Sequence, residues 1–129
     1  DTKKFTEIKK LASKGIIVER ARPDFTQLLK NCSLSISQGG YNTVMEVLAC
    51  GANGIAIPYA GGRETEQTLR AKLLEDRGLI KQTSEEDLSD KWLVQAINQM
   101  ENWQKNKPSN LNINGAKNTA NLLASLVFK

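Results

Sequence analysis

The sequence predicts an α/β domain in which a parallel sheet is covered by helices on both faces, and three observations carry that prediction. Short runs of β-branched and aliphatic residues recur along the chain, segments with apolar residues at helical spacing separate them, and glycine or proline stands at most of the joints. Alternation of that kind implies βαβ units, whose crossovers make neighbouring strands parallel and bury both faces of the sheet. The 129 residues hold one sizeable core and leave no room for a second, because a domain averages roughly 100–200 residues.

Taken in order, Phe5, Ile8, Leu11 and Ala12 recur at helical spacing and predict a helix that stops at Gly15. Ile16-Ile17-Val18 then reads as a short buried strand. Pro23-Asp24 starts a second helix whose Phe25, Leu28, Leu29 and Cys32 share a face, followed by a strand at Leu34-Ser35-Ile36. After Gln38-Gly39-Gly40, residues 42–50 resume helical patterning and close on Gly51, and Ile55-Ala56-Ile57 before Pro58 forms the next strand. Residues 65–77 predict a helix with Leu69, Leu73 and Leu74 inward and Gly78 as its cap, then a brief edge strand at Leu79-Ile80. Ser84, with Glu85, Glu86 and Asp87 behind it, predicts a helix start, and Leu88, Trp92, Leu93, Ala96, Ile97 and Met100 hold its inner face. A polar linker over 102–110 containing Pro108 leads to a last helix marked by Ala116, Ala120, Leu123 and Val127.

Histidine is absent, which excludes a Ser-His-Asp triad, an HExxH zinc site and a histidine base built from this chain alone. Cys32 and Cys50 lack CxxC spacing and sit among apolar residues, as packed, reduced thiols do; no metal site is expected. The 18 basic and 14 acidic residues leave +4, and the basic ones are scattered, so no nucleic-acid surface is expected. The apolar stretches around 44–50 and 122–128 fall short of the ~20 residues that span a bilayer. No transmembrane segment is expected, and peripheral contact with a membrane surface stays open. No secretory signal is legible in Asp1-Thr2-Lys3-Lys4-Phe5, so a cytoplasmic setting is expected.

In parallel sheets ligands bind beyond the carboxyl ends of the strands, which points at the loops 37–42 and 59–66. At the first, Ser37-Gln38-Gly39-Gly40 runs into a helix beginning Asn42-Thr43, a layout that leaves backbone N–H groups free at a positive helix terminus and suits phosphate. Asn42 or Thr43 can donate a side-chain bond, and Glu46, one turn deeper, can accept from two hydroxyls. A plain tight turn with a solvated glutamate satisfies the same spacing. The second loop sets Gly61, Gly62, Arg63, Glu64, Glu66 and Gln67 at another helix start, where the acids also serve the helix dipole. Two polar helix starts after consecutive strands face one crevice, and a phosphate-and-sugar ligand fits it.

The run Ser37-Gln38-Gly39-Gly40-Tyr41-Asn42-Thr43-Val44-Met45-Glu46, then Gly51, Pro58 and Glu66-Gln67, resembles the nucleotide-sugar-binding C-terminal domain of GT-B glycosyltransferases. It is most similar to the peptidoglycan N-acetylglucosaminyltransferase group, family 28 C-terminal type, and shares its pattern more distantly with plant and animal UDP-glycosyltransferases. The resemblance covers about residues 16–80 and implies a Rossmann-like fold. It implies that Gly39, Gly40, Asn42 and Thr43, with Gln38 before them, cradle the diphosphate of a UDP-sugar donor, that Glu46 holds the ribose hydroxyls, and that Glu66 and Gln67 meet the transferred sugar. Where many UDP-glycosyltransferases have histidine ahead of the glycine, this chain has Gln38, a neutral donor; Arg63 is a candidate to supply the missing charge.

The same resemblance implies an incomplete donor domain, since its opening βαβ portion and the N-terminal acceptor domain are not in the sequence. The parent is then an inverting glycosyltransferase that transfers a hexosyl group, uses no cofactor or metal beyond its donor substrate, and draws acceptor and base from the missing domain. On that view the chain alone is inactive. A nucleotide-sugar 2-epimerase-like enzyme and a non-catalytic nucleotide-binding or assembly subunit are the alternatives.

Overall fold

The computed structural model describes residues 1–59, 65–101, 103 and 114–127. In chain order these form α1 (Thr2–Leu11), α2 (Phe25–Asn31), β1 (Ser35–Ser37), α3 (Tyr41–Cys50), β2 (Gly54–Ala56), α4 (Glu66–Asp76), β3 (Lys81–Gln82), α5 (Asp90–Glu101) and α6 (Gly115–Val127). The strands make one parallel sheet in the order β1-β2-β3, with Ile36 opposite Ile55 and Ala56 opposite Gln82. Parallel neighbours cannot be joined by a tight hairpin, and α3 and α4 are the crossovers that join them.

The central strand is buried along its whole length, as expected where both faces are covered. Ile55 and Ala56 point to opposite faces. Ala56 packs with Val44 and Leu48 of α3, Ala71 and Leu74 of α4, and Leu79 and Ile80. Ile55 packs with Ala96 and Met100 of α5, joined by Leu34, Ile57, Trp92 and Trp103. Both faces are therefore covered and the fold is α/β and Rossmann-like. On the α3 side, Leu29 of α2 meets Val47 and Ala52, with Cys32 and Cys50 against them as free thiols. No helix among the described residues is long and apolar enough to cross a membrane.

Five local expectations are corrected. Ile16-Ile17-Val18 is not a strand: Ile16 and Ile17 are 59% and 79% exposed, and β1, β2 and β3 pair only with one another among the described residues. A β-branched run without a partner strand has no ladder to join. The preceding helix ends at Leu11, short of Gly15, which takes φ +96° in the turn beyond.

On α4 the inward residues are Ala71 and Leu74, while Leu69 and Leu73 face solvent. Steps of about 100° per residue place Gln67, Arg70, Ala71 and Leu74 on one face, so the inner stripe is polar at its start and apolar at its end. The edge strand forms at Lys81–Gln82, two residues later than predicted. Leu79 is still tied to the helix end, its N–H donating to the Leu74 carbonyl at 3.0 Å, and Leu79 and Ile80 seal the core.

Ser84 makes a turn of its own, its Oγ accepting from the Asp87 N–H at 3.0 Å, and α5 starts at Asp90 under Ser89, whose Oγ accepts from the Trp92 N–H at 3.2 Å. Two serine caps lie in succession, and the second takes the helix. The predicted linker over 102–110 falls largely outside the described residues.

Candidate functional site

Because β1 and β2 are parallel, their carboxyl ends lie at one edge of the sheet, and the chain leaves each toward a helix start. Beyond Ser37 the backbone turns at Gly39, which is buried and takes φ +73°. That left-handed torsion favours glycine. The Gly39 N–H donates to Ser37 Oγ at 3.3 Å, which anchors the turn to the strand end.

Gly40 is the N-cap of α3, with φ −55° and ψ 146°. The left-handed torsion of the pair thus belongs to Gly39 and not to Gly40. What Gly40 offers is space, since a β-carbon there would meet nothing within 4 Å. Its carbonyl accepts from the Val44 N–H at 3.0 Å, the first bond of the helix. The amides of Tyr41, Asn42 and Thr43 precede that bond, and Gly40 brings no side chain to cap them. Partial positive charge collects there.

With Val44, Val47 and Leu48 buried against the core, Asn42, Thr43 and Glu46 occupy the other flank of α3. Glu46 is three and four residues from Thr43 and Asn42, so its side chain lies next to each of them on the helix surface. Asn42 and Gln38 are exposed, and Thr43 and Glu46 are half-buried.

On the second side the chain passes buried Pro58 and exposed Tyr59. Gly61, Gly62, Arg63 and Glu64 lie outside the described residues. Helix α4 opens with Glu66 in its first turn, the favourable place for an acid. Gln67 is half-buried on the inner face.

Arg70 links the two sides. Its Nη1 donates to the Gly39 carbonyl at 3.4 Å, its Nη2 pairs with Glu66 Oε1, and its guanidinium carbon lies 5.3 Å from the centre of the Tyr41 ring. The Arg70 side chain is 18% exposed and that of Glu66 83%, so the pair runs from the loop interior to the surface. Gly39 and Glu66 are thus brought together through one guanidinium, while Asn42, Thr43 and Glu46 reach the site through α3 itself.

Arg70 was not predicted from the sequence. Its pairing with Glu66 at i,i+4 was readable there as a helix-surface ion pair. Its contact with Gly39 was not, because 31 residues separate them.

Residues 2–126 match the glycosyltransferase family 28 C-terminal domain. The chain is 30% identical over 109 residues to a protein of Borrelia turicatae named UDP-N-acetylglucosamine--N-acetylmuramyl-(pentapeptide) pyrophosphoryl-undecaprenol N-acetylglucosamine transferase, covering 82% of this chain and 30% of that one. It is 28% identical over 78 residues to a protein of the same name from Albidiferax ferrireducens, covering 60% of this chain and 20% of that one. The chain spans about 30% of the first relative's length. Among solved structures, spinosyn forosaminyltransferase SpnP superposes with a TM-score of 0.62 at 20% identity, over 70% of this chain and 23% of that one. That likeness is one of fold.

Proposed function

The chain belongs to the glycosyltransferase family 28 C-terminal domain family, and from that membership we propose that it is the nucleotide-diphosphate-sugar-binding part of an inverting glycosyltransferase, with the acceptor held by a separate domain. One observation carries the reading: the open, uncapped start of α3 behind Gly39-Gly40, with Glu66 of the next crossover drawn to the same place by Arg70.

In this reading the amides opening α3, with Asn42, Thr43 and Gln38, hold the diphosphate. Glu46 accepts from the ribose hydroxyls, and Glu66 and Gln67 meet the sugar. The relatives' names make UDP the first nucleotide to test.

In the transfer, an acceptor oxygen bonds to the anomeric carbon from the face opposite the diphosphate, the bond from that carbon to the diphosphate oxygen breaks, and the acceptor proton passes to a base. Positive charge builds on the sugar ring and negative charge on the leaving diphosphate. Fixed N–H dipoles aimed at that developing charge stabilise it at little reorganisation cost. The chain's own groups supply this stabilisation, and the base and acceptor come from the other domain.

Calorimetry of the 129-residue chain with UDP, UDP-N-acetylglucosamine and a GDP-sugar, alongside an assay for transfer, tests the proposal. Binding of a UDP ligand without turnover is expected. Absence of nucleotide binding by the folded chain overturns it, and transfer by the chain alone overturns the division of labour.

A further inference from the structure

We infer that Arg70 is a positioning residue of the donor site, which sets the phosphate-side loop and the sugar-side helix in one register; the inference rests on the donor-binding reading above. Its geometry is that of a clamp. One guanidinium nitrogen reaches the Gly39 carbonyl, the other pairs with Glu66, and the plane lies near the Tyr41 ring.

A peptide unit is planar and trans, so the Gly39 carbonyl and the Gly40 N–H point in opposite directions. Holding the carbonyl toward α4 therefore aims the Gly40 N–H the other way, together with the start of α3 that a diphosphate would approach. The same guanidinium holds the Glu66 carboxylate turned toward the first loop, although most of that side chain is in solvent.

Both tasks need a planar fork with several donors. Lysine is a compact point charge and cannot span a carbonyl and a carboxylate in fixed directions. Arg70 also contributes a cation beside the anion-receptive end of α3, where Gln38 contributes none.

The test compares wild type, Arg70→Met and Arg70→Lys by calorimetry with UDP and with UDP-N-acetylglucosamine, and records the amide resonance of Gly40 in the unliganded chains. Wild type is expected to favour the sugar nucleotide over UDP. Arg70→Met should weaken UDP about tenfold and the sugar nucleotide further, bringing the two affinities together, with the Gly40 resonance displaced. Arg70→Lys keeps the aliphatic stem and the charge, and should fold without restoring the preference.

Equal fold-losses for the two ligands, an unmoved Gly40 resonance, a wild type without preference, or full restoration by lysine would each overturn the assignment. If wild type binds neither ligand, the donor-binding reading falls and takes this inference with it. If wild type binds and the variants keep its preference, only the role of Arg70 is lost.

Discussion

Gly39 faces the methyl group of Ala56 so closely that a β-carbon on Gly39 would stand 3.2 Å from it, on a backbone already at φ +73°. The turn that opens the site thus leans directly on the central strand. Gly39→Ala meets both the left-handed torsion and that contact, and should lower stability by about 1–3 kcal/mol in a urea titration. A change below a few tenths would show that the turn relaxes freely.

Gly40 presents the opposite case. Its torsions lie where any residue is comfortable, and a side chain there meets open space. Gly40→Val is expected to retain the circular dichroism of wild type, with melting lowered only as far as valine is a poorer N-cap than glycine, while abolishing UDP binding. Normal binding in the folded variant would reduce the loop to a turn.

Glu46 is half-buried on the solvent-side flank of α3, clear of the Val44, Val47 and Leu48 core face. Glu46→Ala should cost about 1.5–3 kcal/mol of UDP affinity, the range for hydrogen bonds to a charged group. Its unfolding midpoint should hardly move. Affinity equal to wild type in calorimetry would remove the ribose assignment.

Asp24 accepts from Arg22 through both carboxylate oxygens, at 2.9 and 2.8 Å, while Arg22 also reaches Glu19 at 2.9 Å. The Arg22 hydrogen bonds hold the Asp24 carboxyl below its ordinary 3.8. A carboxyl depressed in the fold is protonated first in the unfolded chain, so its stabilising effect is complete at neutral pH and fades as pH falls below about 3.8 through the native value. The groups are exposed, and the effect should be local: NMR titration of Arg22→Met should return Asp24 toward 3.8, with faster amide exchange over residues 19–24. A titration identical to wild type would contradict the pairing.

Sequence patterns revealed much of the segment from α2 to β2, because its punctuation is local. Asp24 precedes α2, Gly39-Gly40 separates β1 from α3, and Gly51 closes α3 at φ +72°. The first loop of the site was readable for the same reason, since its glycines, Asn42, Thr43 and Glu46 fall within nine residues of chain.

Two features depended on distant partners, and a third on a choice between two neighbouring caps. Ile16-Ile17-Val18 has strand-like composition, but pairing is not a property of composition. Leu69 and Leu73 suggested the inner face of α4, whereas contact with the sheet and with Gly39 selects Gln67, Arg70, Ala71 and Leu74. The helix start predicted at Ser84 was a locally sound cap overtaken by a second one at Ser89.

The polar opening of that inner face sets apolar burial against the contacts of Arg70. Ala71 and Leu74 show what the sheet would accept along α4, and leucine at positions 67 and 70 would extend the apolar stripe by a full turn. Selection for heat resistance alone would favour that change, because filling the remaining contact with hydrocarbon is among the easier routes to a firmer fold. A lineage that took it would gain a more durable protein and surrender the guanidinium that ties Gly39 to Glu66. Arg70 is therefore where α4 keeps a tie to the turn after β1 in place of further apolar packing.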